Sequence, residues 1–126
     1  MRLQSILLVA AIVVLGAAPI FAGSFTGDLV DSKCYTSEEN NVNPFDPPSN
    51  VNHDRGYEIR VCRPNARTKY FAIVDHDGRS FQLDPSGNDK VLELVRQIDK
   101  KSRLLVTVTG EIQKRTLRVD SISLAE

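Results

Sequence analysis

Two cysteines, Cys34 and Cys62, bracket the least patterned stretch of this 126-residue chain, a polar Asn- and Pro-rich segment reading NNVNPFDPPSNVNHDRG. A bond between them closes a loop of about 29 residues, worth roughly 3–4 kcal/mol in chain-entropy terms. For a small domain that is a large share of the total stability. Other uses of the pair fit less well. Redox pairs carry the Cys-x-x-Cys spacing, which is absent. A metal site would recruit His53 or His76, but the order Cys34, His53, Cys62, His76 lacks the close paired spacing of zinc motifs. The expectation is a structural disulfide, with no metal and no cofactor.

The compartment agrees. The N-terminus reads MRLQSILLVAAIVVLGAAPIFAGS. Arg2 is a short positive region, Ile6 to Ala18 is apolar apart from Gly16, and small residues follow Pro19. This is the layout of a secretory signal peptide. The run of about 13 residues falls short of the roughly 20 needed to span a bilayer. Residues 1–22 are read as the signal, with cleavage after Ala22 and Ala18 as second choice. Residues 23–126 then form one domain, exported to the periplasm or outside the cell, with no membrane span. Loss of Arg2 takes the formal charge from zero to about −1. Such a chain has no global electrostatic reason to bind nucleic acid or an anionic membrane.

Ser24 to Val30 reads as the first strand, with Gly27 allowing a bend or a close backbone approach. Asp31 to Asn52 lacks a sustained period, and Pro47-Pro48 forbids helix there. Asp54 to Arg63 suits one or two helical turns, with Asp54 as N-cap, Pro64 as the stop, and Tyr57, Val61 and Cys62 on a shared face. Lys69 to Asp75 is a strand with apolar residues on both faces. His76-Asp77-Gly78 is a tight turn into Ser80 to Asp84, so the two strands form a hairpin. Asn88 suits an N-cap for a helix to about Lys100, with an apolar stripe of Val91, Leu92, Leu94, Val95 and Ile98. Arg103 to Gln113 and Thr116 to Leu124 are the last strands, turned by Lys114-Arg115. Thr109-Gly110-Glu111 reads as a bend in a barrel strand.

Three strands, a helix and two strands is the order of the OB-fold, a five-stranded Greek-key barrel. The expected fold is therefore all-β with one or two helices, the main helix lying between strands 3 and 4 and plugging the barrel with Val91, Leu94, Val95 and Ile98. The competing architecture is an α+β sandwich with a meander sheet.

No catalytic constellation can be named. His53-Asp54 and His76-Asp77 sit in expected loops, and turn geometry explains the second. A basic set, Arg55, Arg60, Arg63, Arg67 and Lys69, is interleaved with Tyr57 and Tyr70. On an OB-fold such a set holds an acidic polymer by charge and stacking; otherwise it is a solvated helix face balanced by Asp54 and Glu58. The expected ligand contacts are Tyr35, Phe45, Arg55, Tyr57, Arg60 and Tyr70.

In DLVDSKC, Cys62, KYFAIVD, HDGRSFQLD, VTVTGEI and LRVDSIS, the chain resembles a family of small exported bacterial proteins with an Asp-Ser-x-Cys segment after the first strand. The resemblance runs from Phe25 to Leu124 and implies an OB-like fold without an established biochemical function. Members often carry a further cysteine near the position of Glu58 and Ile59, and a shorter segment in place of the Asn/Pro stretch. The functional expectation is a non-catalytic binding module that meets an unknown ligand or envelope protein through the loop from Tyr35 to Asn52 and the adjoining strand faces. The alternatives are a metal-handling protein or small enzyme using Cys34, Cys62 and the histidines, and a purely structural envelope component.

Overall fold

Five strand-forming segments, one of them apolar on both faces, close into a barrel in the computed structural model. It describes residues 21–40, 48–98 and 103–125. In chain order the elements are β1 (Phe21–Asp31), α1 (Ser32–Asn40), α2 (Pro48–Val61), β2 (Phe71–Val74), β3 (Ser80–Leu83), α3 (Pro85–Arg96), β4 (Leu105–Gln113) and β5 (Thr116–Leu124). The strand order is β1-β2-β3-β5-β4, with β4 returning to β1. Only β3 and β5 run parallel. With α3 between β3 and β4, this is the expected OB-like barrel, and the meander sandwich is excluded.

β1 serves two neighbours. Phe21 to Asp28 pair with β4, and Asp28 to Asp31 pair with β2. The change of partner falls beside Gly27, where a Cβ would run into the Ile73 side chain and the Val74 carbonyl. The close approach expected of Gly27 is therefore present. Buried Asp28 is held by a fork from Arg103, with Nε at 3.0 Å and Nη2 at 2.6 Å. The bend expected at Gly110 is a bulge. Thr109 pairs with Ser121 but Gly110 with Val119, leaving Asp120 as the extra residue. Residues 1–20, the bulk of the expected signal, lie outside the described residues. β1 begins three residues before the expected Ser24; cleavage after Ala22 would leave the ladder from Gly23–Gly110 to Asp28–Leu105 in place.

The barrel interior is filled by Leu29, Phe71, Ile73, Leu83, Val91, Leu104, Val106, Val108, Leu117 and Val119. Val91 of α3 is fully buried, and Leu92, Leu94, Val95 and Ile98 pack against the same cluster. That is the plug expected from the stripe.

Three boundaries differ from expectation. α3 starts at Pro85, not after Asn88. Asp84 is the N-cap, accepting from the Gly87 amide (2.9 Å), and the same Oδ1 accepts from Val119 N–H (3.2 Å). Proline suits a first helical turn, where its missing N–H costs nothing. Asn88 instead lies inside α3, and its Oδ1 accepts from the Phe71 amide at 3.0 Å. The helix ends at Arg96, before the expected Lys100; Lys100 and Lys101 lie outside the described residues. Lastly, the stretch after Asp31 is helical. α1 follows β1 directly, and α2 begins at Pro48, six residues before Asp54. Pro48 occupies the helix start, the position proline tolerates.

Candidate functional site

Outward-facing residues of β1 and β2 form a second, smaller core. Val30, Ala72 and Val74 pack with Tyr35, Ile59 and Cys62, and Cys34 adds to the edge. The connection between β1 and β2 thus lies on the outside of the barrel as a docked layer. Asp31 starts it. Its Oδ1 accepts from the Cys34 amide (3.1 Å), capping α1, and its Oδ2 accepts from the Thr68 hydroxyl (2.9 Å). Backbone bonds from Asp31 N–H to Cys62 O (2.7 Å) and Ser32 N–H to Tyr70 O (2.9 Å) tie the ends of the layer together. The Cys34–Cys62 disulfide joins α1 to the end of α2, with the two Cα atoms 5.4 Å apart.

This anchoring sets the rotation of α2. Cys62 must face the barrel, so Glu58 and Ile59, one turn earlier, face it too. Tyr57 and Val61 then point to solvent, 56% and 48% exposed. The expected shared face of Tyr57, Val61 and Cys62 is therefore corrected: Cys62 faces in and the other two face out.

Glu58 is buried in this layer, near Glu38, Glu39, Asp54 and Arg55. Burial raises its pKa first, the neighbouring carboxylates raise it further, and Arg55 opposes them. The Tyr35 hydroxyl is pushed up by burial above all, then by the charges of Glu39 and Glu58. A carboxyl whose folded pKa exceeds its unfolded value contributes stability below the unfolded value, lost as pH rises through the folded one. We therefore expect Glu58→Gln to be more stable than the parent at neutral pH. The gap should close as the pH falls below about 4.5. Urea unfolding of both proteins at pH 7 and pH 4 checks this; an unchanged gap would contradict it.

The expected contact residues are scattered. Tyr35 is 2% exposed and serves the packing. Arg55 leans on the β2–β3 turn, its guanidinium against Gly78, whose φ of +84° excludes most side chains. Tyr57 and Arg60 are exposed on α2. Tyr70 is exposed too, with Lys33 Nζ 5.0 Å from its ring centre. Phe45 lies outside the described residues. Of the wider basic set, Arg67 and Lys69 are exposed, while Arg63 lines a cleft beside α3. His76 is exposed, its Nε2 3.4 Å from Asp77, in the turn expected of it. The His53 side chain is not among those described. Both cysteine sulfurs are consumed in the disulfide. Among the described residues, no group of three His, Cys, Asp or Glu is arranged to hold a metal ion, and no helix is long and apolar enough to cross a membrane.

Several parts of the barrel's outer surface are covered or self-satisfied, and others are open. The β1–β2 surface is covered by the docked layer. The outer face of β1, β4 and β5 carries two rungs of hydroxyls, Ser24–Thr109–Ser121 and Thr26–Thr107–Ser123. Thr26 bonds Thr107 (3.0 Å) and Thr109 bonds Ser121, so these groups largely satisfy one another. A cleft of about 490 Å³ is walled by Pro64, Val95, Ile98 and Leu104, with Arg63 and Arg96 among its lining residues. The chain along its wall continues into residues 99–102, outside the described residues.

A shallower cleft of about 380 Å³ lies between α3 and β5, lined by Lys90, Glu93, Asp120 and Ser121 among others, and another opening lies on β3. A cleft of about 440 Å³ is lined by Glu39, Gly78, Arg79, Ser80, Phe81 and Arg115. Three connections meet there: the end of α1, the β2–β3 turn and the β4–β5 turn. Its walls are fixed by short-range bonds. Asp75 Oδ1 accepts from the Asp77 and Arg79 amides (3.0 and 2.8 Å), clasping the turn. The Arg115 carbonyl accepts from Gln82 N–H at 2.9 Å. No protein-family model, curated protein or solved structure matches this chain. The β3 cleft must therefore be judged on its own geometry. Sequence reading missed Arg79 and Arg115, and the available signal was an arginine in each of two tight turns.

Proposed function

We propose that the chain is a small, exported OB-like binding module whose ligand is held on the outside of β3. The observation that carries this reading is the cleft where the α1 end, the β2–β3 turn and the β4–β5 turn converge. A closed barrel filled by its own side chains has no room inside for a ligand, so binding falls to the outer surface. OB-folds bind on the face of their second and third strands, flanked by the first and last loops. Here the docked layer takes the part of that face belonging to β2, and leaves Ser80 and Gln82 of β3 uncovered. Ligand pockets span roughly 300–1,000 Å³, which includes this cleft.

Export is supported by the N-terminal pattern, and by the disulfide, a bond that persists in oxidising compartments. The metal-handling alternative has lost its thiols to that bond. The test is amide-resolved NMR of the mature, oxidised protein against a defined panel: a neutral trisaccharide, inorganic phosphate, succinate, a short peptide and zinc. Saturable shifts centred on Arg79, Ser80 and Arg115 are expected for at least one organic or anionic probe. Silence across the panel, or stoichiometric zinc binding at His76, would overturn the reading. Edman sequencing of the exported protein should begin at Gly23; an intact Met1 would remove the export claim.

A further inference from the structure

We infer that the β3 cleft is an anion site, built for a small ligand bearing a carboxylate or phosphate group. This rests on the binding-module reading and names the chemistry of the occupant. Arg79 and Arg115 come to the cleft from separate turns, and neither makes an ion pair or a side-chain hydrogen bond among the described residues. One carboxylate, Glu39, shares the cleft with them. Two guanidinium groups against one carboxylate leave a positive excess at this exposed cleft. An anion seated in the cleft is attracted by both cations. The guanidinium fork matches the paired oxygens of carboxylate and phosphate.

The rest of the lining fits the same ligand. Ser80 supplies a hydroxyl that donates or accepts, and Phe81 supplies an apolar wall. The backbone of Ser80 is turned the same way. Asp75 N–H bonds the Arg79 carbonyl and Gln82 N–H bonds the Arg115 carbonyl, so by strand alternation the Ser80 N–H and C=O point away from β2. On that side β5 begins only at Thr116, opposite Gln82. The turns that carry both arginines are bonded as described above, so the backbone of the site is in place before binding, which lowers the entropy lost. Arg55 packed against Gly78 braces one of those turns from outside.

The test uses the oxidised mature chain in low salt, about 20 mM, where screening is weak. Inorganic phosphate and succinate are titrated separately, with maltotriose as the neutral probe. Saturable shifts at Arg79, Ser80 and Arg115 are expected with an anion, weakening as salt rises. Phosphate alone binding points to a phosphorylated ligand, succinate alone to a carboxylate. Arg79→Gln with Arg115→Gln should weaken the anion at least about tenfold, roughly 1.4 kcal/mol; Arg79→Lys, which keeps charge but loses the fork, should fall between. Spectral dispersion reports the fold in the same spectra, and the single Gln variants carry the test if the double variant loses it. Anion binding unchanged in the folded Gln variants overturns the inference. Maltotriose at the cleft with neither anion there overturns it too, but leaves the binding module standing. No binding by any probe removes both.

Discussion

Replacing both cysteines with alanine is expected to release the docked α1–α2 layer before the barrel opens. The loss should be about 3–4 kcal/mol, set by closure of a loop spanning 28 positions. Besides the bonds at its two ends, the layer is held by a small apolar contact. Its apolar contact with the barrel is made by Tyr35, Ile59 and Cys62 on Val30, Ala72 and Val74. It also buries Glu58 among like charges, which opposes docking at neutral pH. The β1–β4 and β4–β5 ladders do not pass through it. Hydrogen exchange should therefore show α1 and the end of α2 losing protection first, while β4 and β5 keep theirs. Loss of protection in all elements together would mean that the layer and the barrel are one cooperative unit. Alanine is the better replacement because Cys62 is 1% exposed, and serine would bury a hydroxyl there.

The barrel was legible because its signals are local. Strict alternation in Ser80 to Leu83, the Asp77-Gly78 turn, and the stripe from Val91 to Ile98 each report on a few neighbouring residues. Gly27 and Gly110 were readable for the same reason, as glycines inside strand patterns. The docked layer was not legible, because tertiary contacts make its helices. α1 has few apolar residues, and it forms because Asp31 caps it, Cys34 is pinned and Tyr35 finds a pocket. Likewise Asn88 looked like a helix cap, yet it was already inside the helix and bonded to a strand. The candidate cleft was the least legible part. Arg79 and Arg115 lie on different turns, and only the parallel β3–β5 pairing brings those turns together. Arg55, Tyr57 and Arg60 of α2 stand close together in the sequence, but helix rotation sends them to different environments.

The other large effect is expected at Phe71. Phe71→Ala should cost about 3–5 kcal/mol, the range for a fully buried aromatic. Phe71 is 1% exposed and heads the largest fully buried side chains. It begins β2, and its amide bonds Asn88 of α3, so the cavity would open between the strand and the plug. β2 faces both cores, with Phe71 and Ile73 turned into the barrel and Ala72 and Val74 turned toward the docked layer. A shift of β2 is therefore felt on both sides. In chemical denaturation the Phe71→Ala and double-cysteine changes should not simply add, since they share this strand. A coupling of about 0.5 kcal/mol or more is expected, and strict additivity would show that the two cores are independent. The same strand leads through Asp75 into the turn that carries Arg79. If the proposed β3 site binds an anion, that binding should weaken in Phe71→Ala at temperatures where the barrel is still folded, through the strand that joins the core to the turn.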